Sequence, residues 1–257
     1  MALPDASVTF AIGILAGVMS VLAGGGVTVV LPVLLALGLS ADQANATSRF
    51  NLVVGGIIAT IVLIRSKKVD WRATKSLLLA TVIGAVIGTS LGLMVRSTAM
   101  FAIIVATSVV SLILVFVQPN RWLSKGSTRH LLSERTGAVT YGLLCAYGGV
   151  VAVDSAILRL IVMVLFMGIP LNKANPIKVV TGLALFAISC ALYGDAGKID
   201  WTVAAWLAGG TAIGAAVASR FTASEEARHA VYRLLQVSVT VETLLLLAQA
   251  LGWLPHM

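Results

Sequence analysis

Charged residues are scarce in this chain of 257 residues: they make up 11% of it, whereas an ordinary soluble domain contains roughly 25%. The 18 basic and 10 acidic side chains are too few to cover the surface of a soluble protein. Intrinsic disorder is excluded because 59% of the residues are hydrophobic. The chain also lacks the alternating segments of about ten residues that are typical of a membrane β-barrel. The composition therefore predicts an all-α polytopic membrane protein.

Side chains with catalytic or metal-binding chemistry are also few. The two cysteines, Cys145 and Cys190, lie inside apolar runs, which favours packing over a disulfide or a metal site. The sequence has no histidine or cysteine cluster with metal-ligand spacing, and no phosphate-binding Gly-x-x-x-x-Gly-Lys-Ser/Thr sequence. We therefore expect no catalytic centre, no metal and no cofactor. A membrane-embedded enzyme is the less favoured alternative.

Ten apolar segments follow one another along the chain. They cover residues 8–23, 27–39, 45–64, 74–95 and 98–117, and then 137–153, 156–169, 175–193, 202–220 and 228–250. In each group of five, two short segments precede three of spanning length. We predict two transmembrane repeats, residues 1–117 and 137–257, joined by a cytoplasmic linker at 118–136 within one integral membrane domain. The two short segments of each repeat either re-enter the bilayer as a hairpin or cross it tilted.

A shift of 130 residues superimposes the second half of the chain on the first without a gap. Lys68-Val69-Asp70-Trp71 then falls on Lys198-Ile199-Asp200-Trp201, and Gly84 falls on Gly214. Between residues 38 and 85, 12 of 48 positions are identical. Shared apolar composition does not explain the Lys-x-Asp-Trp match, so the sequence indicates an internal duplication.

Loop charge indicates that the second repeat is inverted relative to the first. The loop at 65–72 has a net charge of +3, whereas its duplicate at 195–201 has a net charge of −1. If the first loop is cytoplasmic and the segments alternate, 14 of the 18 basic residues face the cytoplasm. The net charge of +8 is therefore a positive-inside signal and does not indicate nucleic acid. We predict an inverted-topology repeat, common in secondary transporters, with both termini outside.

An ordered set of small and polar residues resembles the sulfite exporter TauE/SafE family. The set consists of Gly24-Gly25-Gly26, Pro32, Gly38, Ala44, Thr47, Val69-Asp70-Trp71-Arg72, Gly84 and Gly88 in the first repeat, and Ala174-Asn175, Ile199-Asp200-Trp201 and Gly214 in the second. The resemblance implies a transporter of small sulfur-containing anions, such as sulfite and organosulfonates, or of related carboxylates. The chain departs from the family in the second repeat, where Asp154-Ser155 replaces a glycine-rich turn.

The glycine turn of the first repeat is the first candidate for substrate binding. Gly24, Gly25 and Gly26 allow a sharp turn and a close approach to a ligand. The helix that begins near Thr28 would offer free N–H groups and a positive dipole end to an anion. The alternative is close packing of two helices without a ligand.

The third segment of each repeat begins with polar residues on one helical face. These residues are Asn45, Ser48 and Asn51 in the first repeat, matched by Asn175, Lys178 and Thr181 in the second. Together with Arg49 they suit an oxyanion, although Arg49 and Lys178 could instead snorkel to the interfaces. The expected substrate-binding set is Gly24, Gly25, Gly26, Thr28, Asn45, Ser48, Arg49, Asn51, Ser155, Arg159, Asn175 and Lys178.

Two acidic residues are candidates for ion coupling. Asp154 lies in the turn that corresponds to the glycine turn, where it or Ser155 could cap the next helix. An ion pair with Arg159 is the structural interpretation of Asp154, and binding of a proton or a sodium ion is the functional one. Glu242, in the last segment, could relay protons or pair with a neighbour.

The sequence as a whole predicts a secondary transporter, an exporter of a small oxyanion that works by alternating access between the two repeats. An anion channel of the same architecture is the alternative. The expected partners are a small anionic substrate, the lipid bilayer and a coupling ion. The expected location is the bacterial cytoplasmic membrane.

Overall fold

The computed structural model describes residues 6–22, 26–117, 132–219 and 227–251. Within these ranges the chain forms ten α-helices and no β-strand. The first five are α1 (Ala6–Leu22), α2 (Gly26–Ala36), α3 (Ala41–Arg65), α4 (Trp71–Met94) and α5 (Ser97–Val117). The second five are α6 (Glu134–Val150), α7 (Ser155–Ile161), α8 (Leu171–Asp195), α9 (Trp201–Ser219) and α10 (Ala227–Ala250). A π-helical turn, Val162–Phe166, follows α7 directly.

The predicted all-α membrane architecture is confirmed. Four helical stretches are long and apolar enough to cross a membrane, and they belong to α3, α4, α8 and α9. The ten helices match the ten predicted segments, and α1, α2, α6 and α7 are short, with 17, 11, 17 and 7 residues. Most boundaries differ by a few residues. The largest shifts of a helix start are in α3 and α8, which begin four residues before the predicted segments because their first turns are polar. Helix α6 begins at Glu134, inside the segment predicted as a linker.

Large apolar side chains cover the outside of the long helices. On α4, the exposed fractions are 69% for Leu79, 51% for Ile83, 53% for Ile87 and 80% for Met94. A continuous exposed apolar face of this kind is unfavourable in water and suits contact with lipid. The protein is an integral membrane protein.

The duplicated Lys-x-Asp-Trp sequences begin α4 and α9. Asp70 Oδ1 accepts a hydrogen bond from the Ala73 amide at 3.2 Å. Asp200 Oδ1 accepts from the amides of Thr202 and Val203 at 3.0 and 3.1 Å. These caps satisfy amides that have no partner in the first turn of a helix. The motif is therefore a helix start that the chain uses twice.

The backbone also turns in the same way at duplicated positions. Gly38 and Gly168, which lie 130 residues apart, have φ angles of +89° and +67°. Lys67 and Gly197, after α3 and α8, have φ angles of +53° and +67°. Positive φ angles are uncommon outside glycine, so their recurrence at one offset indicates that the two halves share a local conformation.

Each half packs its first helix against the fourth helix of the other half. Helix α1 lies along α9, α4 lies along α6, and α3 crosses α8. Glycine allows these contacts to be made between backbones: a Cβ atom at Gly84 would overlap the Gly142 carbonyl, and one at Gly214 would overlap the Ile14 carbonyl. Small residues at such positions let membrane helices approach closely. The two halves therefore form one interlocked bundle.

Candidate functional site

Two basic side chains of the second half, Arg159 on α7 and Lys178 on α8, are buried together inside the bundle. Their exposed fractions are 1% and 4%, and their charges interact electrostatically. No carboxylate among the described residues pairs with either of them. The ion pair that the described residues do form joins Lys198 to Asp42 at 3.0 Å. Because an unpaired buried charge is costly, this cluster favours the presence of an anion.

Not every nitrogen of the Arg159 guanidinium group has a hydrogen-bond partner within the described part of the protein. Its Nε donates to the Ser155 carbonyl at 3.2 Å. Its Nη1 has no hydrogen-bond partner among the described residues. The Phe186 ring centre lies 5.9 Å from Cζ, and a Cβ atom at Gly182 would lie 3.3 Å from Nη2. The neighbouring Phe186 ring and Gly182 offer no hydrogen-bond acceptor side chain, so Arg159 Nη1 remains able to donate to an oxygen atom of a ligand.

Tyr141 and Thr181 provide hydroxyl groups beside the two cations. Their oxygens are 2.6 Å apart, and both side chains are fully buried. Thr181 Oγ1 lies 2.7 Å from the Ile177 carbonyl, to which it can also donate. Arg159 interacts electrostatically with Tyr141. When Thr181 donates to Ile177, Tyr141 donates to Thr181, so the two hydroxyl groups satisfy each other and the two cations are the donors that suit the oxygens of an anion.

Arg49 has a different environment, because the backbone at the end of α6 occupies its nitrogens. Its Nη1 donates to the Gly148 carbonyl at 2.6 Å, and its Nη2 donates to the carbonyls of Gly149 and Val150 at 3.0 and 3.1 Å. Its Nε donates to the Asn45 carbonyl at 3.3 Å. The last carbonyls of a helix have no partner within the helix and form its negative end. Arg49 therefore caps a helix of the other half.

Asn45 reinforces the same junction. Its Nδ2 donates to the Val150 carbonyl at 2.8 Å, and its Oδ1 accepts from the Ala152 amide at 3.0 Å. Asn45 thus holds the break between α6 and α7. Its duplicate, Asn175, is half-buried, and the structure gives it no comparable hydrogen bond within the described residues. Binding of substrate by Asn45 and Arg49 stays a prediction, now with a structural role beside it.

The other described candidates in the first half are buried in their helices. Ser48 Oγ donates to the Asn45 carbonyl at 2.8 Å, and Thr28 is buried in α2. Asn51 is fully buried, and neither atom of its amide has a partner among the described residues. Gly26 begins α2 so close to the Ser20 hydroxyl that a Cβ atom would overlap it.

The structure therefore groups the candidates in two clusters. Arg159, Lys178 and Ser155 lie together, whereas Arg49, Asn45 and Ser48 gather at the end of α6. The Phe186 ring lies near both arginines, since the Arg49 Cζ is also 5.9 Å from its centre. Outside the described residues lie Gly24, Gly25 and the side chain of Glu242.

Asp154 requires a correction. The predicted ion pair with Arg159 is wrong, because neither carboxylate oxygen of Asp154 has a hydrogen-bond partner among the described residues and no such pair forms. Capping by its side chain is wrong as well: Asp154 occupies the N-cap position of α7 without a capping hydrogen bond. Ser155 does not cap either, since its Oγ donates to the Ala152 carbonyl at 3.0 Å.

Three residues of the cluster around Arg159 were missed by sequence reasoning. Tyr141 could have been noticed, because it is one of only four tyrosines and lies within an apolar segment. Gly182 and Phe186 carry no comparable signal, since glycine and phenylalanine are ordinary residues in a membrane helix.

A profile of the sulfite exporter TauE/SafE family matches residues 9–245, which is most of the chain. The chain belongs to the TauE/SafE family. The curated relatives of this TauE/SafE protein include the "Probable membrane transporter protein YfcA" of Escherichia coli strain K12, which is 26% identical over 225 residues, 85% of this chain and 81% of that protein. A "Probable membrane transporter protein" of Haemophilus influenzae strain KW20 is 23% identical over 211 residues, 81% of this chain and 82% of that protein.

No solved structure gives a significant match to the chain. The family match and the relatives nevertheless agree with the apolar, multi-helix architecture described above. This TauE/SafE protein is a membrane transporter.

Proposed function

We propose that the protein is a secondary transporter of a small oxyanion, and that the anion binds at Arg159 and Lys178. One observation carries this proposal: two buried cations lie together without a carboxylate partner among the described residues. Charged groups inside membrane proteins are rare and usually mark a substrate path. A sulfite, sulfonate or carboxylate group would supply both the missing charge and the acceptor for Arg159 Nη1.

The two halves would work as inverted repeats that rock against each other around this site. The reciprocal pairing of α1 with α9 and of α4 with α6 supports this arrangement, as do the opposite charges of the duplicated loops. We place the protein in the bacterial cytoplasmic membrane with both termini outside. We also propose export as the direction, in keeping with the name of the family.

Binding of anions to the purified protein tests the proposal. Thermal unfolding is measured with sulfite, methanesulfonate and acetate, in the parent and in Arg159→Gln and Lys178→Gln. A charged hydrogen bond contributes about 1.5–3 kcal/mol, so each variant should bind the stabilising anion roughly 10- to 150-fold more weakly.

Lys173→Gln serves as the matched control, because Lys173 is an exposed lysine near the start of the same helix as Lys178. It should bind like the parent. If Arg159→Gln and Lys178→Gln also bind every anion as tightly as the parent does, the proposed site is wrong. Saturable exchange of labelled anion across liposome membranes separates a carrier from the alternative, an anion channel.

A further inference from the structure

Asp154 is a buried carboxylate outside the cation cluster. It lies at the break between α6 and α7, it is 4% exposed, and its backbone is left-handed, with a φ angle of +54°. Neither of its carboxylate oxygens has a hydrogen-bond partner among the described residues. An ionised carboxylate without partners is very costly inside a protein, so this geometry favours the neutral, protonated acid.

Helix α5 presents the Ser111 hydroxyl group to this carboxyl group. The Ser111 side chain interacts with Asp154, and Ser108 lies one turn earlier on the same helical face. Both hydroxyl oxygens are buried and lack hydrogen-bond partners among the described residues. A protonated Asp154 could donate to Ser111 after a small movement, whereas an ionised one could accept from it.

No charged side chain among the described residues pairs with the carboxylate of Asp154. Of the neighbouring elements, α5 presents Ser111. Helix α6 presents Tyr147, whose hydroxyl donates to the Val153 carbonyl at 3.2 Å. Helix α7 carries Arg159, which does not pair with Asp154. Helix α10 reaches α5 through Thr243, which donates to the Ser108 carbonyl at 3.2 Å, and Glu242 precedes it with a side chain outside the described part.

A sodium ion fits this position less well than a proton. Sodium sites in transporters use the carbonyl groups of unwound backbone. Here the carbonyls of the turn already accept hydrogen bonds: Ala152 from Ser155 Oγ at 3.0 Å, Val153 from Tyr147, and Asp154 from the Ile157 amide at 2.9 Å. A single carboxyl group beside the Ser111 hydroxyl is sufficient to hold a proton.

We propose that Asp154, assisted by Ser111, binds the proton that is coupled to anion transport. The inference rests on the proposed function, but its site is separate from Arg159 and Lys178. On the step that carries the proton through the closed protein, the carboxyl O–H is intact; on the return step the carboxylate is ionised and accepts from Ser111. When the bundle opens toward one side, the O–H bond breaks and the proton passes to water. The resulting carboxylate takes a proton from water after the bundle opens toward the other side.

The experiment separates coupling from anion binding in proteoliposomes. Labelled sulfite is the first probe, and methanesulfonate is the second. Exchange of labelled for unlabelled anion at equal pH on both sides needs only the anion site. Accumulation of the anion under an imposed pH gradient, without a sodium gradient, needs the proton site as well.

The variant Asp154→Asn should retain exchange and lose accumulation driven by the pH gradient. Asparagine tolerates the left-handed backbone of this position, so the fold is retained. Asp154→Glu keeps a titratable acid and should retain part of the accumulation, and Ser111→Ala should reduce it. Asp195→Asn, which alters an exposed acid at the end of α8, is the control and should behave like the parent.

Accumulation by Asp154→Asn at the parent rate would overturn the inference. So would the loss of exchange together with accumulation in that variant, and so would a parent that responds to a sodium gradient alone. Failure of the proposed function has a different signature: the parent itself neither exchanges nor binds the tested anions.

Discussion

The Nη1 atom of Arg49 lies 2.6 Å from the carbonyl oxygen of Gly148, so a side chain of the first half closes a helix of the second half. This contact differs from the environment of Arg159, whose Nη1 has no partner among the described residues. The two buried arginines lie near the same phenylalanine ring but differ in their hydrogen-bond partners. The difference leads to opposite expectations for their replacement.

Replacement of Arg49 by glutamine should lower the stability of the protein. It removes a cation from the carbonyls at the end of α6, and a charged hydrogen bond contributes about 1.5–3 kcal/mol. We expect the free energy of unfolding in mixed micelles to fall by about 3 kcal/mol. Arg49→Lys should lose less, because it keeps the charge but not the planar set of donors. An unchanged unfolding free energy for Arg49→Gln would contradict the capping role.

Replacement of Arg159 by glutamine should act on anion binding rather than on the fold. In the absence of anion, the variant should unfold at the same temperature as the parent or higher, because an uncompensated buried charge is removed. The rise in unfolding temperature that a bound anion causes should disappear. A variant that is less stable without anion and still responds to it would assign Arg159 a structural role.

Single cysteines at the ends of α3 and α8 test the inverted topology. Ser66 and Ala196 are exposed residues that follow these helices, 130 residues apart. In a background with Cys145 and Cys190 replaced by alanine, Ser66→Cys and Ala196→Cys should react with a membrane-impermeant thiol reagent from opposite sides. Reaction of both from one side would refute the inversion of the repeats.

Alanine at the duplicated glycines of α4 and α9 should separate the helices that they join. Gly84→Ala and Gly214→Ala place a methyl group against backbone atoms of α6 and α1, and overpacking of this kind costs about 1–3 kcal/mol. Gly56→Ala is the control, since its methyl group would lie 3.4 Å from the Leu183 side chain, an ordinary contact. Equal stability of all three variants would show that the helices adjust without cost.

Most of the architecture could be predicted because a membrane imposes it on the sequence. Apolar runs must form helices in lipid, and the four stretches of spanning length were therefore readable. The duplicated Asp70 and Asp200 could be recognised as a motif from the sequence, because a helix cap depends on the identity of one side chain. Helix starts were less accurate, because the polar first turns of α3 and α8 interrupt the apolar pattern.

The site was predicted in part, and its failures have a common cause. Arg49 suggested a ligand because the backbone carbonyls that satisfy it leave no trace in the sequence. Asp154 and Arg159 suggested an ion pair because they are five residues apart, but five residues along a helix are roughly 140° apart. The left-handed backbone of Asp154 directs its side chain elsewhere. Lys178 is buried in α8, and its role in substrate binding stays a prediction.

The pairing of α1 with α9 also constrains how the protein is made. Thr211 Oγ1 of α9 donates to the Gly13 carbonyl of α1 at 3.1 Å across 198 residues of chain. Synthesis proceeds from the N-terminus, so α1 enters the bilayer long before its partner exists. Its glycine face must remain open to lipid while helices α2 to α8 are inserted. The bundle therefore closes late in synthesis. In a chain that ends before α9, the glycine face of α1 has no helix to pack against.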